Sequence, residues 1–89
     1  MNMQLENKKL FWKMVQHIEG CSDCYVRNNQ GVITERGMLL SNDYSAYFGL
    51  DDGVIRIYDN KHSVLLAFDE NSPFLITLNE LFIDLNMED

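Results

Sequence analysis

Two cysteines and two histidines are the residues of this chain best suited to metal or thiol chemistry. Cys21 and Cys24 form a Cys-x-x-Cys pair, and His17 precedes the pair by four residues. A structural zinc site needs four such ligands, so this chain could complete one only with His62, which stands in a distant turn segment. Zinc sites usually show two closely spaced ligand pairs. The pattern therefore predicts no metal and no cofactor, and His17, Cys21, Cys24 and His62 remain only a weak zinc alternative.

The cysteine pair is also poorly placed for redox chemistry. A reactive Cys-x-x-Cys usually begins a helix, where the positive end of the helix dipole favours the thiolate. Here the pair follows a predicted helix, and Asp23 lies between the cysteines. We interpret the cysteines as small apolar side chains at the joint between helix and sheet.

No other group of residues predicts catalysis. The serines have no nucleophile-elbow motif around them, and the glycines occur singly at turns, so no phosphate-binding loop is indicated. Asp51-Asp52-Gly53 lacks the alternating oxygen ligands of a calcium loop. The sequence predicts a protein that is not an enzyme.

Residues 4–19 are predicted to form an amphipathic helix. Five apolar residues recur at the spacing of one helix face: Leu10, Phe11, Met14, Val15 and Ile18. Trp12 lies off this stripe and is expected to be partly exposed. Gly20 fits the left-handed position that ends many helices.

Short β-type runs separated by turn sequences follow the helix. The runs are 24–27, 32–35, 38–40, 44–50, 54–58 and 64–68. Asn28-Asn29-Gln30-Gly31, Asp51-Asp52-Gly53 and the segment 59–62 are suitable hairpin turns. These features predict an α+β fold in which the N-terminal helix packs on an antiparallel meander of about five strands. A capping box at Thr77-x-x-Glu80 favours a short C-terminal helix over 78–86, with a strand as the alternative.

Length and composition indicate one small globular domain spanning residues 1–89. The chain has a mass of 10.4 kDa, and its 46% hydrophobic and 24% charged residues are typical of a folded protein. Its N-terminus has no apolar signal region, and no apolar run approaches the ~20 residues of a membrane span. We expect a cytoplasmic protein without a membrane partner.

The negative charge of the chain is concentrated in its second half. The net charge is −7, with five basic and four acidic residues in 1–42 against two basic and ten acidic residues in 43–89. Such a charge disfavours direct binding to nucleic acid, which needs a basic surface. A partner protein with a basic surface suits it better.

The acidic turns predict a non-catalytic protein-binding module. We expect it to present acidic hairpins to a basic, nucleic-acid-binding site of its partner, as a nucleic-acid mimic and inhibitor would. The expected contact set has two parts. The first is the acids near the strand ends: Asp51, Asp52, Asp59, Asp69 and Glu70. The second is the candidate anchors: Tyr47, Arg56, Tyr58 and Trp12. In size and acidity the chain is similar to phage-encoded anti-defence proteins and to immunity proteins that block nuclease toxins.

The apolar strands leave a second interpretation open. In 54–58 and 64–68 both alternating sets of residues are mostly apolar, whereas one helix covers only one face of a sheet. The chain is therefore alternatively a homodimeric structural or regulatory subunit that associates through an apolar sheet face.

Overall fold

The computed structural model describes residues 3–73 and residue 75, and it shows one helix packed on a five-stranded antiparallel sheet. The elements are α1 Met3–Gly20, β1 Cys24–Arg27, β2 Ile33–Leu39, β3 Tyr44–Gly49, β4 Ile55–Asp59 and β5 Val64–Phe68. The strands lie side by side in chain order, as a meander. The predicted α+β architecture is confirmed at this level, and the C-terminal helix predicted over 78–86 lies outside the described residues.

Helix α1 buries the predicted apolar stripe against the sheet. Phe11, Met14, Val15 and Ile18 are almost completely buried, whereas Trp12 is 47% exposed, as its place off the stripe predicted. Leu10 is only partly buried.

The prediction that Gly20 is left-handed was wrong. Gly20 is the last helical residue, and the glycines with positive φ in the described segment are Gly31 and Gly53. The Cys21 amide donates to the His17 carbonyl at 3.0 Å, so the helical hydrogen-bond pattern continues past Gly20. No left-handed residue is needed to satisfy that carbonyl.

The core lies between α1 and one face of the central strands. Phe11 contacts Phe48 and Phe68 edge to face, with ring centroids 6.3 and 6.4 Å apart. The buried sheet residues beside them are Met38, Ala46, Ile55 and Ile57. Strand pairing explains this, because Ala46 lies opposite Ile57 and Phe48 lies opposite Ile55, so their side chains share a face.

Strand β2 is continuous where the sequence suggested a break. Arg36-Gly37 had separated the predicted runs 32–35 and 38–40, but both residues lie within Ile33–Leu39. Gly37 lies opposite Tyr47, and a Cβ atom at Gly37 would be 2.5 Å from a Tyr47 ring carbon. Gly37 therefore admits an aromatic ring close to the backbone instead of forming a turn.

The hairpin turns rely on residues with positive φ. Gly31 and Gly53 have φ values of 81° and 67°, and His62 has a φ of 63°. Asn28 supports the first turn, because its side-chain oxygen accepts hydrogen bonds from the amides of Gln30 and Val32.

In the described part of the chain, α1 is too polar to cross a bilayer.

Candidate functional site

Four of the predicted contact acids lie at one end of the sheet. In an antiparallel meander, the turn from β3 to β4 and the segment after β5 lie at the same end. The first carries Asp51 and Asp52, and the second carries Asp69 and Glu70. We call these four residues the acidic end.

Trp12 lies beside the acidic end. Its indole Nε1 donates a hydrogen bond to Glu70 Oε2 at 2.8 Å, and its ring packs edge to face on Phe11 with centroids 5.4 Å apart. Trp12, Asp52, Asp69 and Glu70 line a shallow depression of about 250 Å³. An aromatic surface and several carboxylates therefore meet at one place, which suits contact with a cationic side chain.

Asp59, the fifth predicted acid, is not brought together with the other four. It ends β4 at the opposite end of the sheet, about 17 Å away for a five-residue strand. Asp59 Oδ1 accepts hydrogen bonds from the amides of Lys61 and Ser63, both at 2.9 Å. Asp59 therefore stabilises the hairpin turn between β4 and β5.

Two acids of the acidic end also stabilise their own turns. Asp52 Oδ1 accepts from the Val54 amide at 3.1 Å, and Asp69 Oδ1 accepts from the Asn71 amide at 2.9 Å. These bonds explain why an aspartate suits each position, and they fix the carboxylates relative to the sheet. Rigid placement matters for recognition, because fewer rotamers must be frozen on binding.

The sheet face opposite α1 carries the other predicted anchors. Strand register and alternation assign these residues to one face, which we call the open face: Val26, Glu35, Gly37, Leu39, Tyr47, Gly49, Arg56 and Tyr58. The rings of Tyr47 and Tyr58 meet at 87° with centroids 5.3 Å apart. Tyr47, Tyr58 and Arg56 thus lie together, whereas Trp12 is on the helix.

Arg56 is engaged within the protein by two carboxylates. Its Nη2 lies 2.5 Å from Asp52 Oδ2, and its Nη1 lies 3.4 Å from Glu35 Oε1. The hydrogen bond from Arg56 lowers the pKa of Asp52, and the same bond raises the pKa of Arg56. Arg56 therefore holds Asp52 in its ionised form and connects the open face to the acidic end.

Glycines make room for this arrangement, and sequence reasoning did not assign them that role. A Cβ atom at Gly49 would overlap the Asp52 carboxylate and approach Arg56 Nη1 to 3.3 Å. Glu35 was also missed as a partner of Arg56. No local pattern could have found it, because Glu35 and Arg56 are 21 positions apart and lie on β2 and β4, which β3 separates.

Tyr47 provides a pH-dependent term in stability. Burial, together with a hydrogen bond to Cys24, raises the pKa of Tyr47 from 10.0 to about 12. The unfolded chain loses this proton near pH 10, whereas the folded protein keeps it to about pH 12. The stabilisation is therefore complete below pH 10 and is lost as the pH rises through that window.

We expect Tyr47→Phe to weaken this alkaline dependence. Between pH 10 and 12 the wild-type free energy of unfolding should fall by about 1–2 kcal/mol from Tyr47, and the variant should lack that part of the fall. Urea unfolding at several pH values measures it. Some pH dependence of the free energy of unfolding should remain in the variant, because burial also raises the pKa of Tyr58. Identical pH profiles for the two proteins would contradict the assignment.

The cysteines and histidines are spread over the molecule. His17 Nε2 lies 4.0 Å from Cys21 Sγ at the end of α1, whereas Cys24 lies beside Tyr47 on the sheet. His62 belongs to the turn between β4 and β5. Among the residues whose positions are described, no three His, Cys, Asp or Glu side chains are grouped so as to hold a metal ion.

Comparison of the chain with known protein families, with curated proteins and with solved structures found no match.

Proposed function

We propose that this protein is a non-catalytic binding module whose acidic end docks into a basic, nucleic-acid-binding site of a partner protein. The observation that carries the proposal is the grouping of Asp51, Asp52, Asp69 and Glu70 on two adjacent turns beside the half-exposed Trp12. The proposal includes inhibition, because a bound acidic end would occupy the site that nucleic acid needs.

Electrostatics supports such a partner. Carboxylates held on a rigid sheet create a local negative potential, which steers a positively charged cleft towards them and raises the association rate. Arg56 is a cation next to this group, and Asp52 and Glu35 already offset its charge. A basic cleft that binds phosphates would therefore be attracted to this end of the sheet.

Trp12 supplies the second component of the proposed contact. Tryptophan is enriched among residues that dominate binding energy, and a ring already fixed by Phe11 and Glu70 loses little freedom on binding. We assign the carboxylates mainly to the rate of association and Trp12 mainly to the lifetime of the complex.

The test is charge reversal at the acidic end. A partner is first captured from a lysate of the source cell or its host at low and high salt, and association with the purified partner is then timed. We expect Asp51→Lys to lower the association rate constant about tenfold at low salt and to change dissociation much less. Asp51 suits this test because it is exposed.

Asp43→Lys is the matched control, because it makes the same charge change on an exposed residue at the opposite end of the sheet. It should slow association about twofold or less, through net charge alone. Equal slowing by both substitutions would show that the acidic end is not the contact. Trp12→Ala should leave the association rate unchanged and speed dissociation.

The second candidate function, association of two copies through the open face, rests on different residues. Leu39 is 56% exposed and Val26 is 39% exposed, and they flank Tyr47 and Tyr58. Association through such a face would persist at high salt, whereas binding by the acidic end would weaken steeply.

A further inference from the structure

A groove lined by tyrosines lies on the open face. Its volume is about 340 Å³, and its lining residues come from β1, β3, β4 and the turn after β4: Tyr25, Val26, Tyr47, Tyr58 and His62. Gly37 of β2 has no side chain, and three carbons of the Tyr47 ring lie between 2.5 and 2.8 Å from the place of a Cβ atom there. The Tyr47 ring therefore lies across this glycine and forms part of the groove.

The two central tyrosines offer aromatic surface to a cation. The rings of Tyr47 and Tyr58 stand at 87° with centroids 5.3 Å apart, and both residues are only partly buried. Two rings at a right angle bound a corner in which a cation can approach the face of each ring. A cation within about 6 Å of a ring centroid is attracted by the negative face of the ring. The corner therefore suits one positively charged group.

Carboxylates lie next to the tyrosine corner. Burial raises the pKa of Tyr47 and of Tyr58, and the negative charge of Glu35 adds to the rise in each, so this carboxylate acts on both hydroxyl groups. Tyr58 also lines a second depression, of about 350 Å³, together with Glu35, Asp51 and Asp52. The groove therefore adjoins the acidic end.

The charge beside the groove is negative. The second depression is lined by three carboxylates and one guanidinium, that of Arg56, which gives a net charge of −2. A second copy of this chain carries the same charges and a total of −7, so it would be repelled from this face. A cationic side chain would be attracted to it.

We propose that the groove receives an arginine side chain of the partner protein, whose guanidinium stacks in the corner between Tyr47 and Tyr58 and turns its N–H groups towards Glu35. Arginine suits this place better than lysine, because a planar guanidinium stacks on a ring while donating to a carboxylate, and it is more weakly hydrated than an ammonium group. The inference rests on the proposed function only for the source of the arginine, since a site that binds phosphates carries such side chains.

The probe for the experiment is the peptide acetyl-Gly-Arg-Gly-amide, titrated into isotope-labelled protein and followed by NMR. We expect saturable shifts of the Tyr47, Tyr58 and Glu35 signals, with a dissociation constant in the millimolar range. Acetyl-Gly-Lys-Gly-amide should bind about threefold or more weakly. The uncharged acetyl-Gly-Leu-Gly-amide should cause no saturable shift at these residues.

Variants separate contact with the rings from general negative charge. Tyr58→Leu removes one ring and should weaken binding of the arginine peptide about threefold or more, whereas Tyr58→Phe keeps the ring and should change it by less than about twofold. Tyr44→Leu is the matched control, because Tyr44 is an exposed tyrosine that does not line the groove. It should leave the affinity unchanged.

A second pair of variants tests the carboxylate. Glu35→Gln should weaken binding about twofold or more, whereas Glu19→Gln makes the same change on an exposed residue of α1 and should not alter it. The NMR spectrum of each variant verifies that it is folded. The comparison of the arginine and lysine peptides on the wild-type protein keeps the test valid if a variant does not fold.

Equal binding of the arginine and lysine peptides would overturn the proposal, and so would shifts confined to the acidic end. Shifts of the Tyr47 and Tyr58 signals with protein concentration alone would also overturn it, because they would show that a second copy covers the open face.

Failure of this inference is distinguishable from failure of the proposed function. If the arginine peptide does not bind while Asp51→Lys slows association with the partner, the groove assignment is wrong and the binding function stands. If the peptide binds while Asp51→Lys and Asp43→Lys slow association equally, the groove assignment stands and the acidic end is not the contact.

Discussion

Replacing Phe11 by alanine is expected to lower the free energy of unfolding by about 3–5 kcal/mol. Phe11 is 1% exposed and meets three aromatic rings, those of Trp12, Phe48 and Phe68. Deleting the ring removes its apolar burial and leaves a cavity where helix and sheet meet. In a domain with a typical stability of about 5–15 kcal/mol, this loss is a large fraction of the total.

Urea unfolding followed by circular dichroism measures the effect of Phe11→Ala. Gln16→Ala is the matched control on the exposed side of the same helix, and it should change stability by about 0.5 kcal/mol or less. Phe11→Leu keeps much of the volume and should cost clearly less than alanine. A cost of about 1 kcal/mol or less for Phe11→Ala would show that the helix contributes little to the core.

Local patterns predicted most of the fold. The stripe of α1 needed only helical spacing, and four of its five residues are buried. The meander needed only alternation and turn sequences, so Gly31 and Gly53 lie at the predicted turns with positive φ. These features depend on residues close in sequence, and single-sequence reasoning can reach them.

Features that depend on cross-strand neighbours were not predictable in the same way. Gly37 was interpreted as a turn residue because the Tyr47 ring that covers it lies ten residues away. The hydrogen bond from Trp12 to Glu70 joins residues 58 positions apart, and no local pattern suggests it. Strand order decided that Asp51, Asp52, Asp69 and Glu70 share an end of the sheet.

Charge counts reveal less about the site than about the surface as a whole. A total of ten acids in residues 43–89 predicted an acidic surface but not its division between the two ends of the sheet. Asp59 has the same charge as Asp51, yet its carboxylate holds the amides of Lys61 and Ser63 at the opposite end. The turn between β4 and β5 explains why position 59 is an aspartate, and its negative charge acts at the end of the sheet opposite the acidic end.

Gly37→Ala is expected to lower the free energy of unfolding by about 1–3 kcal/mol, although alanine fits the backbone there. The added methyl group would lie 2.5 Å from Tyr47 Cδ2 and 2.8 Å from Tyr47 Cγ. The ring must move, and Tyr47 cannot swing aside freely because Tyr58 packs against it. Urea unfolding measures the loss, and Gly20→Ala, with nothing within 4 Å of the new atom, is the matched control.

A double-mutant cycle tests whether the Tyr47 ring is the cause. In a Tyr47→Ala background the space above Gly37 is empty, so adding Gly37→Ala should cost about 0.5 kcal/mol or less. The difference between the two backgrounds is the coupling energy of the ring and the added methyl group. An equal cost in both backgrounds would place the effect in the β2 backbone instead.

Gly37 and Tyr47 lie on the open face beside Cys24. Displacement of the Tyr47 ring by Gly37→Ala should therefore expose Cys24, and its thiol should then react faster with a soluble disulfide reagent.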